Sequence, residues 1–209
     1  MHKCASSWPR CNPPQRRAKE RDVSRLVILP LLALALALPV QSEPLGAAKA
    51  LPTLDQQAEQ LKPYKQLLQG ALQNGLNGGT LAAMAACQLM APALQSNLTS
   101  AVIEVGRASH KPRNPANGLQ PWMLEAHRDY LQGGDSAPRQ IALNDGSVGY
   151  LEPIYLQQGC LQCHGAVLTG EVSDFLAANY AADRATGFAV GDYRGLFWLK
   201  TIAVKTPQQ

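Results

Sequence analysis

Residues 140–165 read QIALNDGSVGYLEPIYLQQGCLQCHG, and two signals inside this one stretch decide the architecture. Residues 141–143 form a short apolar run, Asn144-Asp145-Gly146 is a turn, and residues 150–156 return with aromatic and aliphatic side chains. Apolar runs closed by an Asp-Gly turn spell an antiparallel hairpin. Downstream, a short helix over 171–180, the stretch 187–190, a turn at 191–195 and a last strand over 196–204 complete the C-terminal half.

Upstream the period changes to that of helices. Residues 122–131 read as a helix, 111–118 as a Pro- and Asn-rich loop, and 100–109 as a strand carrying Val102, Ile103 and Val105. A first helix is predicted over 54–76, where Leu61, Tyr64, Leu68, Leu72 and Leu76 recur at three- and four-residue spacing. Asn74, Gly75, Asn77, Gly78 and Gly79 break it. Thr80 is the expected N-cap of a second helix whose stripe is Leu81, Met84, Cys87, Ala91 and Leu94, with Pro92 expected to kink or end it. Helices first and antiparallel strands afterwards predict an α+β domain with one sheet.

The second signal is Cys160-Leu161-Gln162-Cys163-His164. Two thiols at this spacing can reach both vinyl groups of a haem while the next residue offers an imidazole to the iron, so the run predicts covalent attachment of one haem c. Average composition makes such a run a chance event in on the order of one in a thousand chains of this length. A redox-active disulfide beside His164 is the competing reading, but such pairs follow a strand at the start of a helix in a βαβ pattern. A zinc site would need a second Cys or His pair at ligand spacing.

Charge and targeting agree with export. Residues 1–25 carry seven Lys or Arg against Glu20 and Asp22, and the apolar run 26–40 contains Pro30 and Pro39. That is the layout of a signal peptide, and the run is short of the roughly 20 residues a spanning helix needs. Residues 1–42 are thus the expected signal, with a translation start at position 23 as the more economical alternative, residues 43–53 a flexible linker, and residues 54–209 the folded domain. Removing the signal leaves twelve basic residues against thirteen acidic ones, so the net charge of +4 belongs to the leader. Without a basic excess there is no electrostatic footprint for a nucleic acid. Cys87, Cys160 and Cys163 remain, an odd number in an oxidising compartment, where a leftover cysteine needs a partner or a role.

On residue chemistry alone the iron's second axial position is open to Met84, Cys87, Met90, His110, Met123 or His127. Arg107, Arg113, Lys111 and Arg194 are candidates to pair with haem propionates. Trp122 and Trp198 read as core or haem-wall residues. No nucleophile–base pair and no carboxylate pair at catalytic spacing is present, so turnover of a substrate is not expected.

Several longer motifs carry a resemblance. They are Ala83-Met84-Ala85-Ala86-Cys87 with Ala91-Pro92, Val105-Gly106-Arg107, and Lys111-Pro112-Arg113-Asn114-Pro115-Ala116-Asn117. Further on come Tyr150-Leu151-Glu152-Pro153-Ile154, the cysteine motif with Gly165, and Asp183-Arg184-Ala185-Thr186-Gly187 followed by Gly191-Asp192 and Arg194-Gly195. In their order and spacing the chain resembles monohaem c-type proteins with a PAS-like fold, known from cyanobacteria and as extracytoplasmic sensor modules of bacterial signalling proteins. Ala181 stands where that family often has proline. The resemblance implies a PAS-like antiparallel sheet flanked by helices and assigns Cys87 as the distal iron ligand opposite His164.

A thiolate ligand stabilises ferric iron and lowers the reduction potential, and its bond should weaken on reduction, opening a place for CO or NO. The leading expectation is therefore a redox or gas sensor in the periplasm or thylakoid lumen, signalling through a separate protein partner. An electron-transfer cytochrome, or an auxiliary haem subunit of a membrane-bound photosynthetic complex, is the alternative.

Overall fold

The computed structural model describes residues 50–203. The signal peptide, most of the linker and Val204 lie outside the described residues. Two helices come first, α1 (Leu54–Leu76) and α2 (Thr80–Leu98), followed by β1 (Ile103–Ala108), α3 (Leu124–Leu131), β2 (Arg139–Ala142) and β3 (Val148–Tyr155). The one-turn α4 (Leu161–His164), α5 (Gly170–Asn179) and β4 (Tyr193–Thr201) complete the chain. All strand pairs are antiparallel and the sheet order is β1-β4-β3-β2. The α+β class with one antiparallel sheet is as expected.

α1 starts where Thr53 and Gln56 form a reciprocal capping box that satisfies two otherwise orphaned backbone donors. Its stripe then buries Leu61 and Tyr64 against Val105, Tyr150 and Leu199 of the sheet. Alternation along the strands sends their neighbours to the opposite face, where Leu151, Leu196 and Trp198 pack with Met123, Ala126 and Tyr130 from α3 and the turn before it. Both faces of the sheet are therefore covered. Full burial of each such side chain is worth about 1.5–3 kcal/mol. Buried Gln57 crosses this packing, donating to the Val148 carbonyl at 3.2 Å and accepting from Gln140 at 2.6 Å, so that α1, β2 and β3 share one amide.

Two glycines make room for the tryptophans. A Cβ at Gly106 would lie 2.5 Å from Trp198, and one at Gly149 would lie 2.4 Å from Trp122. The two indoles meet edge to face at 6.3 Å over these gaps, which gives both tryptophans a packing role.

Three local expectations are corrected. Gly79, not Thr80, occupies the N-cap of α2, and Thr80 is its first helical residue. Pro92 does not end α2, which runs on to Leu98; the ring is exposed, so only one ladder hydrogen bond is forfeited. Leu81 is exposed, and the buried residues of α2 are Ala83, Met84 and Ala91, with Cys87 half-buried between them.

Candidate functional site

A 3₁₀ turn at Gln158–Cys160 runs directly into α4, which places Cys160 and Cys163 one turn apart. Neither is in a disulfide, and nor is Cys87. The loop over 183–188 is laced to this turn: Phe188 N–H donates to the His164 carbonyl and Gly187 N–H to the Gly165 carbonyl, both at 3.0 Å. On the same loop the Ala185 carbonyl lies 2.7 Å from His164 Nδ1. A carbonyl only accepts, so Nδ1 carries the proton and Nε2 keeps its lone pair. Burial, reinforced by Arg194 and Arg113, pushes the imidazole pKa down to about 3, so His164 is neutral across the physiological range.

α2 packs against α4 and α5, and brings Cys87 to this place. Met84, one turn before Cys87, is buried with Val172 and Leu176 of α5, and Cys163 and Tyr180 border the same cluster. Thr80 Oγ1 donates to Gln162 at 3.0 Å and Gln88 Nε2 to Asn179 at 3.3 Å, tying α2 to both neighbours. Burial raises the thiol pKa of Cys87, opposed by Arg107 and Arg113. Burial likewise raises that of Cys163, which Arg113 opposes.

Three guanidinium groups converge here. Arg107 shares the sheet face of Val105, toward α1 and α2, and its buried Nε has no hydrogen-bond partner. Arg113 donates through Nε to Asp183 at 3.2 Å and through Nη2 to the Cys163 carbonyl at 2.6 Å and the Ala185 carbonyl at 3.4 Å. Arg194 donates through Nη1 to Ser109 Oγ at 2.6 Å and to the Lys111 carbonyl at 3.1 Å. Burial, with repulsion from Arg107 and Arg113, pulls the Arg194 pKa down to about 10. Among the described residues Asp183 is the one carboxylate bonded to any of the three, so the site is strongly electropositive.

The Tll0287-like family model matches residues 38–201. The chain belongs to the Tll0287-like family. Its structure is similar to the crystal structure of the cyanobacterial heme-protein Tll0287, with a TM-score of 0.53 over 71% of this chain and 94% of that one. At 22% sequence identity this likeness speaks for the fold, and the sheet flanked by helices is PAS-like. The comparison with curated proteins gives no match.

Within this Tll0287-like fold the possible axial ligands separate. Cys87 and Met84 lie on the α4 side, and Met90 is exposed. Met123 is sealed in the core under α3. His110 and His127 face each other at 5.1 Å beside Tyr193, and Phe188 stands edge-on to both His110 and His164. Lys111 and Arg194 lie over the Phe188 ring, at 4.9 and 5.4 Å from its centre. A cleft of about 410 Å³ adjoins the site, bounded by Arg113, Tyr180, Gln88 and Asn179. Asp183, Ala185 and Phe188 carry the geometry; the first two belong to a motif to which the sequence assigns no role and Phe188 to none, since their partners are remote along the chain.

Proposed function

We propose that this chain is an exported c-type cytochrome with one haem, joined through thioethers to Cys160 and Cys163, that works as a low-potential redox or gas sensor with His164 and Cys87 as axial ligands. The observation that carries this reading is the packing of α2, which bears Cys87, against the cysteine turn, where Met84 and Cys163 meet in one apolar cluster, beside an imidazole whose Nδ1 is held by the Ala185 carbonyl and whose Nε2 lone pair is available. The remaining residues suit the same group. Cys160 and Cys163 are unpaired thiols one turn apart, as thioether attachment requires. Three guanidinium groups balanced by one carboxylate favour an anionic occupant. Arg107, with its unpartnered buried Nε, is the guanidinium best placed to take a propionate. A haem held by this set supplies one-electron chemistry at a potential that a thiolate ligand keeps low.

Export rests on the basic and apolar leader over 1–42, and places the domain in the periplasm or thylakoid lumen. The output passes to a separate redox or signalling protein, and a diatomic gas is the small ligand that loss of Cys87 from the iron would admit.

The test is the absorption and EPR spectrum of purified protein, ferric and ferrous, with and without CO, beside Cys87→Ala. A low-spin thiolate signature that the substitution abolishes, with CO binding on reduction, is the expected result. An unchanged spectrum in Cys87→Ala would overturn the assignment, move the ligand to Met84 or a histidine and make a plain electron carrier the better reading.

A further inference from the structure

The residues around His164 form a closed circuit. Arg113 is the hub: its Nε donates to Asp183 Oδ2, and its Nη2 reaches the carbonyls of both Cys163 and Ala185. Asp183 Oδ1 in turn accepts from the Ala185 N–H at 2.8 Å, which fixes the peptide whose carbonyl holds His164 Nδ1. The Arg184 N–H donates to the Pro112 carbonyl at 3.1 Å, stitching the loop to the segment that carries Arg113. Side-chain exposure is only 15% for Arg113 and 10% for Asp183, so these bonds are largely shielded from competing water. Two of the three guanidinium nitrogens are thus spent on the protein itself.

We infer that the Arg113–Asp183 pair is a positioning device that locks the orientation and tautomer of His164 through the Ala185 carbonyl, rather than a simple charge partner for a bound anion. Ligating imidazoles depend on what holds their other nitrogen, because that bond sets ring orientation and ligand basicity. The electronic part of the inference rests on the haem reading above; the geometric part does not.

The two parts are separated by two measurements. In the haem-free full-length chain, ¹⁵N NMR of His164 reads the tautomer directly. The wild type is expected to be Nδ1–H, and Asp183→Asn or Arg113→Lys is expected to give a mixture with Nε2–H. A wild-type His164 protonated on Nε2, or variants that keep pure Nδ1–H, would overturn the lock. In the haem-loaded protein the signs discriminate. Removing a positive charge near a haem by Arg113→Gln lowers its potential if charge is the role. Weakening the Nδ1 bond makes the imidazole a poorer donor and raises the potential instead, and Arg113→Lys, which keeps the charge but not the fork, should raise it as well and broaden the ferric EPR signal. A fall with Arg113→Gln and no change with Arg113→Lys overturns the inference. Absence of haem, or a spectrum insensitive to Cys87→Ala, would instead count against the cytochrome reading and leave the tautomer result to decide.

Discussion

Asp183→Asn keeps the size of the side chain and removes one of the two charges in the Arg113–Asp183 pair, so its cost follows from what that carboxylate touches. Oδ2 takes the Arg113 Nε–H at 3.2 Å and Oδ1 takes the Ala185 N–H at 2.8 Å. Breaking a fully buried ion pair by removing one partner costs about 3–5 kcal/mol, whereas exposed pairs are worth about 0–1. With both side chains largely but not wholly buried, and the neutral amide still able to accept one bond, about 2–3 kcal/mol is the expected loss. Arg113, Arg107 and Arg194 are then left without their one bonded counter-charge, which adds in the same direction. For a domain of roughly 150 residues each kcal/mol moves Tm by about 2–4 °C, so the melting point of the haem-free chain should fall by about 4–12 °C. A double-mutant cycle with Arg113→Met, followed by circular dichroism in urea, isolates the pair. A coupling of at least about 1.5 kcal/mol is expected for residues bonded in one network. Coupling below about 0.5 kcal/mol would show that the two side chains act independently and would refute the circuit.

Gly149→Ala should destabilise by about 1–3 kcal/mol, because its methyl would meet the Trp122 ring at 2.4 Å in a two-sided core; Trp122→Leu in the same chain should recover part of the loss in thermal melts, and a neutral Gly149→Ala would contradict the packing. Acid should weaken the haem-free fold through His110, whose pKa falls from 6.5 to about 4 through burial and then His127, Lys111, Arg194 and Arg184. The folded value lies below the unfolded one, so the unfolded chain binds the proton first and stability is lost as pH drops from about 6.5 to about 4. Solvent screening of a partly buried ring limits the effect to about 1–2 kcal/mol; His110→Phe should make the fall of urea midpoints over that window shallower, with the more deeply buried His164, pushed down to about 3, supplying the slope that remains. Thr53→Ala removes the capping box of α1 and should cost about 1 kcal/mol by the same assay.

Helices and strands were legible where one face is buried against one partner. The spacing of Leu61 and Tyr64 read as a stripe because both enter the same cluster with Val105 and Leu199. The hairpin read clearly because the turn at 144–146 is local chemistry. Pro92 misled because its cost depends on whether the ring faces solvent, which only the packing of α2 decides. Leu81 misled for the opposite reason: its periodicity fits the stripe, but the face that α2 buries at that end is the one carrying Ala83 and Met84, which leaves Leu81 toward solvent. The cysteine motif and the arginines could be picked out as residue types, yet their partners could not. Arg113 and Asp183 are separated by 70 residues, and His164 and the Ala185 carbonyl by 21. In sequence Asp183 is one residue of a motif with no partner named, and no spacing rule marks a backbone carbonyl as a partner for imidazole.

The two sides of the site are held very differently, and this asymmetry bears on sensing. His164 sits on a turn fixed by bonds from the Phe188 N–H and Arg113 and by its own Nδ1–H bond to the Ala185 carbonyl, several of them charge-assisted or shielded. Cys87 sits on α2, which has no charged residue along its whole length, and its side-chain bonds to α4 and α5 are the two neutral, exposed ones made by Thr80 and Gln88. Pro92 lacks the N–H that the Gln88 carbonyl would accept, so the weakest rung of the α2 ladder falls beside Cys87. A small displacement of this helix costs apolar contacts at Ala83, Met84 and Ala91 but no buried ion pair. Moving His164 would break the whole circuit. If haem ligation changes during signalling, the distal cysteine should therefore be the ligand that leaves, and the helix carrying it the element that moves.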